Sequence, residues 1–100
     1  MAVGMLYRPF HLATLEPENV EWWLLAARAV REVENLAAAE FVLRRALSRH
    51  PECAMLLYRL ACILAQLGDH KQASEIFVKA ANIDPSLWAL GSKEEDLKVL

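Results

Sequence analysis

Four segments of the chain have apolar residues at the spacing of an α-helix: 20–33, 36–49, 54–67 and 70–83. In the third segment, Leu57, Leu60, Ala61 and Leu64 follow at intervals that place them on one side of a helix. Polar residues occupy many of the remaining positions of the other three segments. The pattern therefore predicts four amphipathic helices and an all-α fold.

The predicted helices are separated by short turns. Gly68 can take the positive φ that ends a helix, and Asp69 can cap the helix that follows. Asn35 stands at the first turn, where we expect it to replace the glycine because asparagine tolerates the left-handed region at some cost. Pro51 and Pro85 cannot continue a helix, so each closes a helical pair.

The helical pairs form an internal repeat. Pro17, Pro51 and Pro85 are spaced by 34 residues twice over. The same shift places Ala27 on Ala61, Ala39 on Ala73 and Ala46 on Ala80. One domain covers 1–100 in this interpretation. Its predicted parts are an N-terminal segment 1–17, a first repeat 18–51, a second repeat 52–85 and a C-terminal capping helix 86–100.

The repeat resembles a known family. Its 34-residue period, its Gly-Asp turn and its series of alanine, large apolar residue, alanine and proline are similar to the tetratricopeptide repeat. The second repeat matches closely at Leu57, Leu60, Ala61, Leu64, Gly68, Ala73, Phe77, Ala80 and Pro85. The first repeat is looser and keeps Trp23, Ala27, Ala39, Ala46 and Pro51. The resemblance implies an α-solenoid of two helix-turn-helix repeats with flanking helical caps.

The resemblance also implies a protein-protein interaction module. In this family the first helices line a concave groove that receives a peptide or a partner helix. Transferred to this chain, the predicted groove consists of Leu24, Leu25, Arg28, Met55, Tyr58, Arg59, Cys62 and Gln66. Arg28 and Arg59 can bind a carboxylate bidentately, or both can simply be solvated on an exposed face.

A structural role is the alternative. Repeat arrays usually need about three units and capped ends, whereas this chain has two clear units. Self-assembly into a homo-oligomer would cover those ends. The aromatic residues expected at such contacts are Phe10, Trp22 and Trp88.

Composition narrows the remaining possibilities. A net charge of -2 provides no basic surface for nucleic acid. No apolar run is longer than that of 22–27, which is far shorter than the about 20 residues of a membrane span. The N-terminus has no charge pattern of a secretory signal, so we expect a soluble cytoplasmic protein that does not act on membranes.

Chemistry-bearing residues do not form a recognisable set. On one helix Cys53 and Cys62 would lie roughly 13 Å apart, too far for a disulfide. His50 and Cys53 have no second pair of ligands at zinc spacing, so neither a metal nor another cofactor is expected. The histidines lie in different segments and no nucleophile, base and orienting group can be assigned. We therefore expect a protein that is not an enzyme.

Overall fold

The structure, a computed structural model, describes residues 11–89. Its four long helices are α1 (Val20–Val33), α2 (Leu36–Arg49), α3 (Ala54–Gln66) and α4 (His70–Ile83). Residues 11–15 and 87–89 are also helical, and no strand occurs within 11–89. The predicted all-α fold is confirmed. The helix bounds agree with the sequence pattern except that α3 ends one residue early.

Side chains cap three of the helices. These residues accept a hydrogen bond from a backbone N–H that has no partner within the helix. Asn19 Oδ1 accepts from Glu21 N–H at 3.1 Å, and Asp69 Oδ1 accepts from Gln72 N–H at 3.1 Å. Asn35 Oδ1 accepts from the N–H of Ala38, three residues further on, at 2.8 Å. The predicted cap at Asp69 is confirmed.

The expectation for Asn35 is wrong. Its φ of -167° and ψ of 177° are those of extended backbone, not of the left-handed region. Within 11–89 only Gly68, with φ of 92°, has a positive φ. Asn35 therefore corresponds to Asp69, because it begins a helix rather than ending one. Helix α1 ends without a left-handed residue, and the N–H of Glu34 donates to Val30 O at 2.8 Å.

Removing this cap should destabilise the protein measurably. We expect Asn35→Ala to lower the free energy of unfolding by about 1 kcal/mol, because Ala38 N–H then lacks its acceptor. Urea denaturation followed by circular dichroism at 222 nm measures the change. Asn35→Asp retains an acceptor oxygen and is the matched control, expected to be as stable as the wild type. Equal losses in both variants would contradict the capping role.

The chain divides into two compact units, residues 1–51 and 52–100. In the N-terminal unit, 1–51, α1 packs on α2. The buried residues of these two helices are Trp23, Ala26, Ala27, Val30, Ala39, Val42, Leu43 and Ala46. The alanines allow close approach of the helix axes, and the larger side chains fill the space beside them.

In the C-terminal unit, 52–100, α3 packs on α4. Helix α3 is mostly buried, whereas α4 buries one stripe. The buried residues are Leu56, Leu57, Tyr58, Leu60, Ala61, Ile63, Leu64 and Ala65 of α3, and Ala73, Phe77, Ala80 and Ala81 of α4. Leu87, after α4, is also buried. The Ala, Phe, Ala series of the sequence is thus a packing stripe.

An enlarged side chain in this stripe should not be accommodated. Ala73 is fully buried, so we expect Ala73→Leu to force neighbouring side chains apart and to cost about 1–3 kcal/mol of unfolding free energy. Thermal or urea unfolding tests this expectation. Lys71→Leu introduces the same side chain at an exposed position of the same helix and serves as the control. If both variants have the same midpoint of unfolding, Ala73 does not lie in a tight contact between helices.

One carbonyl group of the segment before α1 lies within hydrogen-bond distance of two other residues of the N-terminal unit. Pro17 O accepts a hydrogen bond from Trp23 Nε1 at 3.0 Å. His50 Nε2 lies 2.7 Å from the same oxygen; because a carbonyl only accepts, Nε2 is the donor. Pro17 O therefore links the segment, α1 and the residue that follows α2. Pro17, the first of the three prolines spaced by 34 residues, is therefore also a residue that connects parts of the N-terminal unit.

Candidate partner-binding faces

Helix α1 exposes a leucine and an arginine one turn apart. Leu25 is 45% exposed, Arg28 is exposed, and Leu24 is half-buried. Arg28 Nε lies 3.5 Å from Glu32 Oε1, and both side chains are largely in water. An exposed pair of this kind contributes little to stability. The guanidinium is therefore accessible, and we name Leu24, Leu25 and Arg28 the α1 face.

Helix α3 exposes a narrower stripe. Met55 and Arg59 are exposed, and Cys62 and Gln66 are half-buried on the same side at the following turns. We name these four residues the α3 face. Arg59 is the only charged residue of α3, and no carboxylate within residues 11–89 forms an ion pair with it. The α3 face thus carries a positive charge beside an apolar side chain.

Tyr58 does not lie on this face. It is only 4% exposed, and its ring is 6.3 Å from the ring of Phe77, centroid to centroid, at an angle of 51°. Its inclusion among the exposed groove residues is therefore corrected. The reason is the wide buried sector of α3, where Leu56 and Leu57 are buried beside it. The sequence contained a signal for the burial of Tyr58, because α3 has only one charged residue and a helix that is apolar nearly all round is buried.

A family model of the tetratricopeptide repeat matches residues 30–93. The chain belongs to the tetratricopeptide repeat family. It is also 30% identical over 71 residues to human General transcription factor 3C polypeptide 3. The aligned region covers 71% of this chain and 8% of that protein. The chain thus spans less than a tenth of this relative's length. No solved structure matches the chain.

Tetratricopeptide repeats generally mediate protein-protein interaction, and the family is typically not enzymatic. The α1 and α3 faces lie on the first helix of each repeat, the position from which the family resemblance predicts binding. The two faces differ in composition. Leucine predominates on the α1 face, whereas methionine, cysteine and glutamine surround the arginine of the α3 face.

The aromatic residues expected at subunit contacts have different surroundings. Trp22 is half-buried, and its Nε1 donates to Glu16 Oε2 at 2.7 Å. Trp88 is 49% exposed and contacts Phe77 edge-on, with ring centroids 5.4 Å apart. Phe10 lies outside the described residues. Trp88 is therefore the member of this set with the most accessible side chain among those described.

The remaining chemistry-bearing residues of this repeat protein are dispersed. No disulfide joins Cys53 and Cys62, and Cys53 immediately precedes α3. Within residues 11–89, no three histidine, cysteine, aspartate or glutamate side chains are grouped so as to hold a metal ion. None of the helices in this part of the chain has the length and hydropathy required to span a membrane.

Proposed function

We propose that this tetratricopeptide repeat chain binds a peptide or helix of another protein through the α1 and α3 faces. The observation that carries the proposal is the exposure of large apolar side chains directly beside arginines on the first helices. Leu25 lies beside Arg28, and Met55 lies beside Arg59. Apolar anchors and arginine are the residue types that contribute most to protein interfaces. The proposed contacts are Leu24, Leu25, Arg28, Met55, Arg59, Cys62 and Gln66.

The chemistry of these side chains favours a partner with an acidic group next to an apolar one. No carboxylate within residues 11–89 forms an ion pair with Arg59, so a partner carboxylate can make a bidentate contact without displacing one of these groups. Met55 adapts its shape to a range of apolar side chains because its chain is unbranched and its sulfur polarizable. Tyr58 is buried against Phe77 and is therefore not among the proposed contacts.

The test is affinity capture with the full chain, followed by purified binding. Wild-type, Leu25→Glu and Arg59→Glu proteins are used as bait in extract of the native host, and captured proteins are quantified by mass spectrometry. Each partner retained by the wild type is then purified and titrated by calorimetry. We expect either substitution to weaken binding about 30-fold, which corresponds to about 2 kcal/mol.

Lys79→Glu is the matched control, because it reverses a charge at an exposed position of α4, outside both faces. It should bind as the wild type does. Partners that bind Leu25→Glu, Arg59→Glu and the wild type with equal affinity would refute the proposed faces. The absence of any specific partner in repeated captures would refute the proposed function itself.

Self-association is the second candidate, favoured by the exposed indole of Trp88. We propose that two copies bury this ring between them if the chain forms a homo-oligomer. Sedimentation velocity at micromolar concentration measures the state of the wild type, and Trp88→Ala should then shift an oligomer to the monomer. A monomeric wild type at that concentration would remove this candidate and leave the first one untouched.

A further inference from the structure

Helix α2 carries a phenylalanine on the side turned to water. Phe41 is 62% exposed. At 3.6 residues per turn it points about opposite to the buried stripe that includes Ala39, Leu43 and Ala46. A ring in this place contributes little to the packing of α1 on α2.

The residues around Phe41 leave its ring accessible and place positive charge beside it. Ala37, one turn earlier, and Ser48, two turns later, are small and exposed. Arg44 and Arg45, three and four residues later, are exposed on either side of the ring's direction. We name these five residues, Ala37, Phe41, Arg44, Arg45 and Ser48, the Phe41 face.

The charge of α2 is unbalanced. The helix contains three arginines against one glutamate. Glu40 Oε2 lies 2.8 Å from Arg44 Nε, so this carboxylate already has a partner on its own helix. Arg49 reaches Glu18 at 3.7 Å, in a pair that is largely exposed and therefore weak. The Phe41 face thus combines an exposed ring with two exposed arginines.

The second repeat shows that folding does not require this arrangement. A shift of 34 residues places Glu75 of α4 at the position of Phe41, and it places Val78 and Lys79 at those of Arg44 and Arg45. Helix α4 packs on α3 with an exposed glutamate there. Since the same fold forms with a charged residue at this position, the phenylalanine needs another explanation.

We propose that the Phe41 face is a second interaction surface, which binds an acidic segment of a partner protein. An apolar side chain of that segment covers the Phe41 ring, and flanking carboxylates bind Arg44 and Arg45. Removal of the Phe41 ring from water contributes to the affinity. Charge-assisted hydrogen bonds from the arginines fix the orientation of the bound segment. Charge complementarity selects an acidic partner over a basic one. This surface uses no residue of the α1 or α3 face.

A random peptide display library, selected on the immobilised full chain, is the test. We expect a group of recovered peptides in which two or more carboxylates flank a large apolar residue. Synthetic copies of these peptides should bind Phe41→Glu and Arg45→Glu at least about tenfold more weakly than the wild type, because each variant removes one part of the contact. Leu25→Glu and Arg59→Glu should bind them as the wild type does.

Phe41→Glu reproduces the residue found in the second repeat, so its fold should persist. We expect a melting temperature within about 4 °C of the wild type, since a substitution at an exposed position changes stability little. Raising the salt concentration should weaken wild-type binding, because the arginine contacts are exposed to screening.

Several results would overturn the proposal. Recovered peptides without acidic residues, or peptides whose binding depends only on Leu25 or Arg59, would show that the Phe41 face has no such ligand. A dimer that dissociates in Phe41→Glu by sedimentation would make it a contact between copies. Binding of a fluorescent single-stranded oligonucleotide that is stronger than that of the peptides and lost in Arg45→Glu would make it a nucleic-acid surface.

Discussion

Replacing Trp23 with alanine should lower the free energy of unfolding by about 3–5 kcal/mol, the loss typical of a large aromatic side chain removed from a core. Trp23 is 2% exposed, and its indole N–H donates to Pro17 O at 3.0 Å. The substitution therefore leaves a cavity at this buried position of α1 and removes the indole donor to that carbonyl. Urea denaturation with circular dichroism at 222 nm measures the loss.

The neighbouring tryptophan is the matched control for this prediction. Trp22 is half-buried and its indole bonds to the exposed Glu16, so Trp22→Ala should cost less than half as much. Trp23→Phe keeps most of the buried ring and loses only the indole donor, for which we expect about 1 kcal/mol. Equal losses for Trp22→Ala and Trp23→Ala would show that burial of Trp23 does not stabilise the N-terminal unit.

Local chemistry made the helices predictable from the sequence. Helix bounds follow from the spacing of apolar residues and from capping residues, which act within a few positions of one another. The bounds of α1, α2 and α4 agree with the predicted segments to the residue. The positive φ of Gly68 also follows from local sterics, because glycine alone adopts it without cost.

Features that depend on distant residues were not predictable in the same way. Pro17 was recognised only by its place in the 34-residue spacing, whereas its carbonyl binds Trp23 and His50, the latter 33 residues away. Tyr58 was assigned to an exposed face because its position in the family pattern is a groove position. Its burial depends on how wide a sector of α3 is covered, which helical spacing along one segment does not determine.

The candidate binding surfaces were predictable to different degrees. Arg28 and Arg59 are exposed, as charged residues on amphipathic helices usually are. Phe41 was overlooked, since an aromatic residue in a helix is ordinarily assigned to the core. The sequence nevertheless contained a signal. The internal repeat aligns Phe41 with Glu75, and a position that holds a charge in one repeat is not a core position in the other.

Replacing Phe77 with alanine should destabilise the C-terminal unit by about 3–5 kcal/mol of unfolding free energy, again the range for a buried aromatic residue. Phe77 is 7% exposed and lies between two other rings. Its centroid is 6.3 Å from that of Tyr58 and 5.4 Å from that of Trp88, which it meets at 89°. Such pairs contribute about 0.5–1.5 kcal/mol beyond the area they bury.

Two further variants separate the ring contacts from the buried volume. Phe77→Leu retains an apolar side chain in the packing stripe but removes both ring pairs, so it should lose clearly less stability than Phe77→Ala. Val78→Ala, at the adjacent exposed position, should change stability by about 0.5 kcal/mol or less. If Phe77→Leu is as unstable as Phe77→Ala, the ring pairs rather than the filled volume stabilise the C-terminal unit. Near-ultraviolet circular dichroism then reports the loss directly, because Tyr58 and Trp88 no longer share a fixed aromatic neighbour.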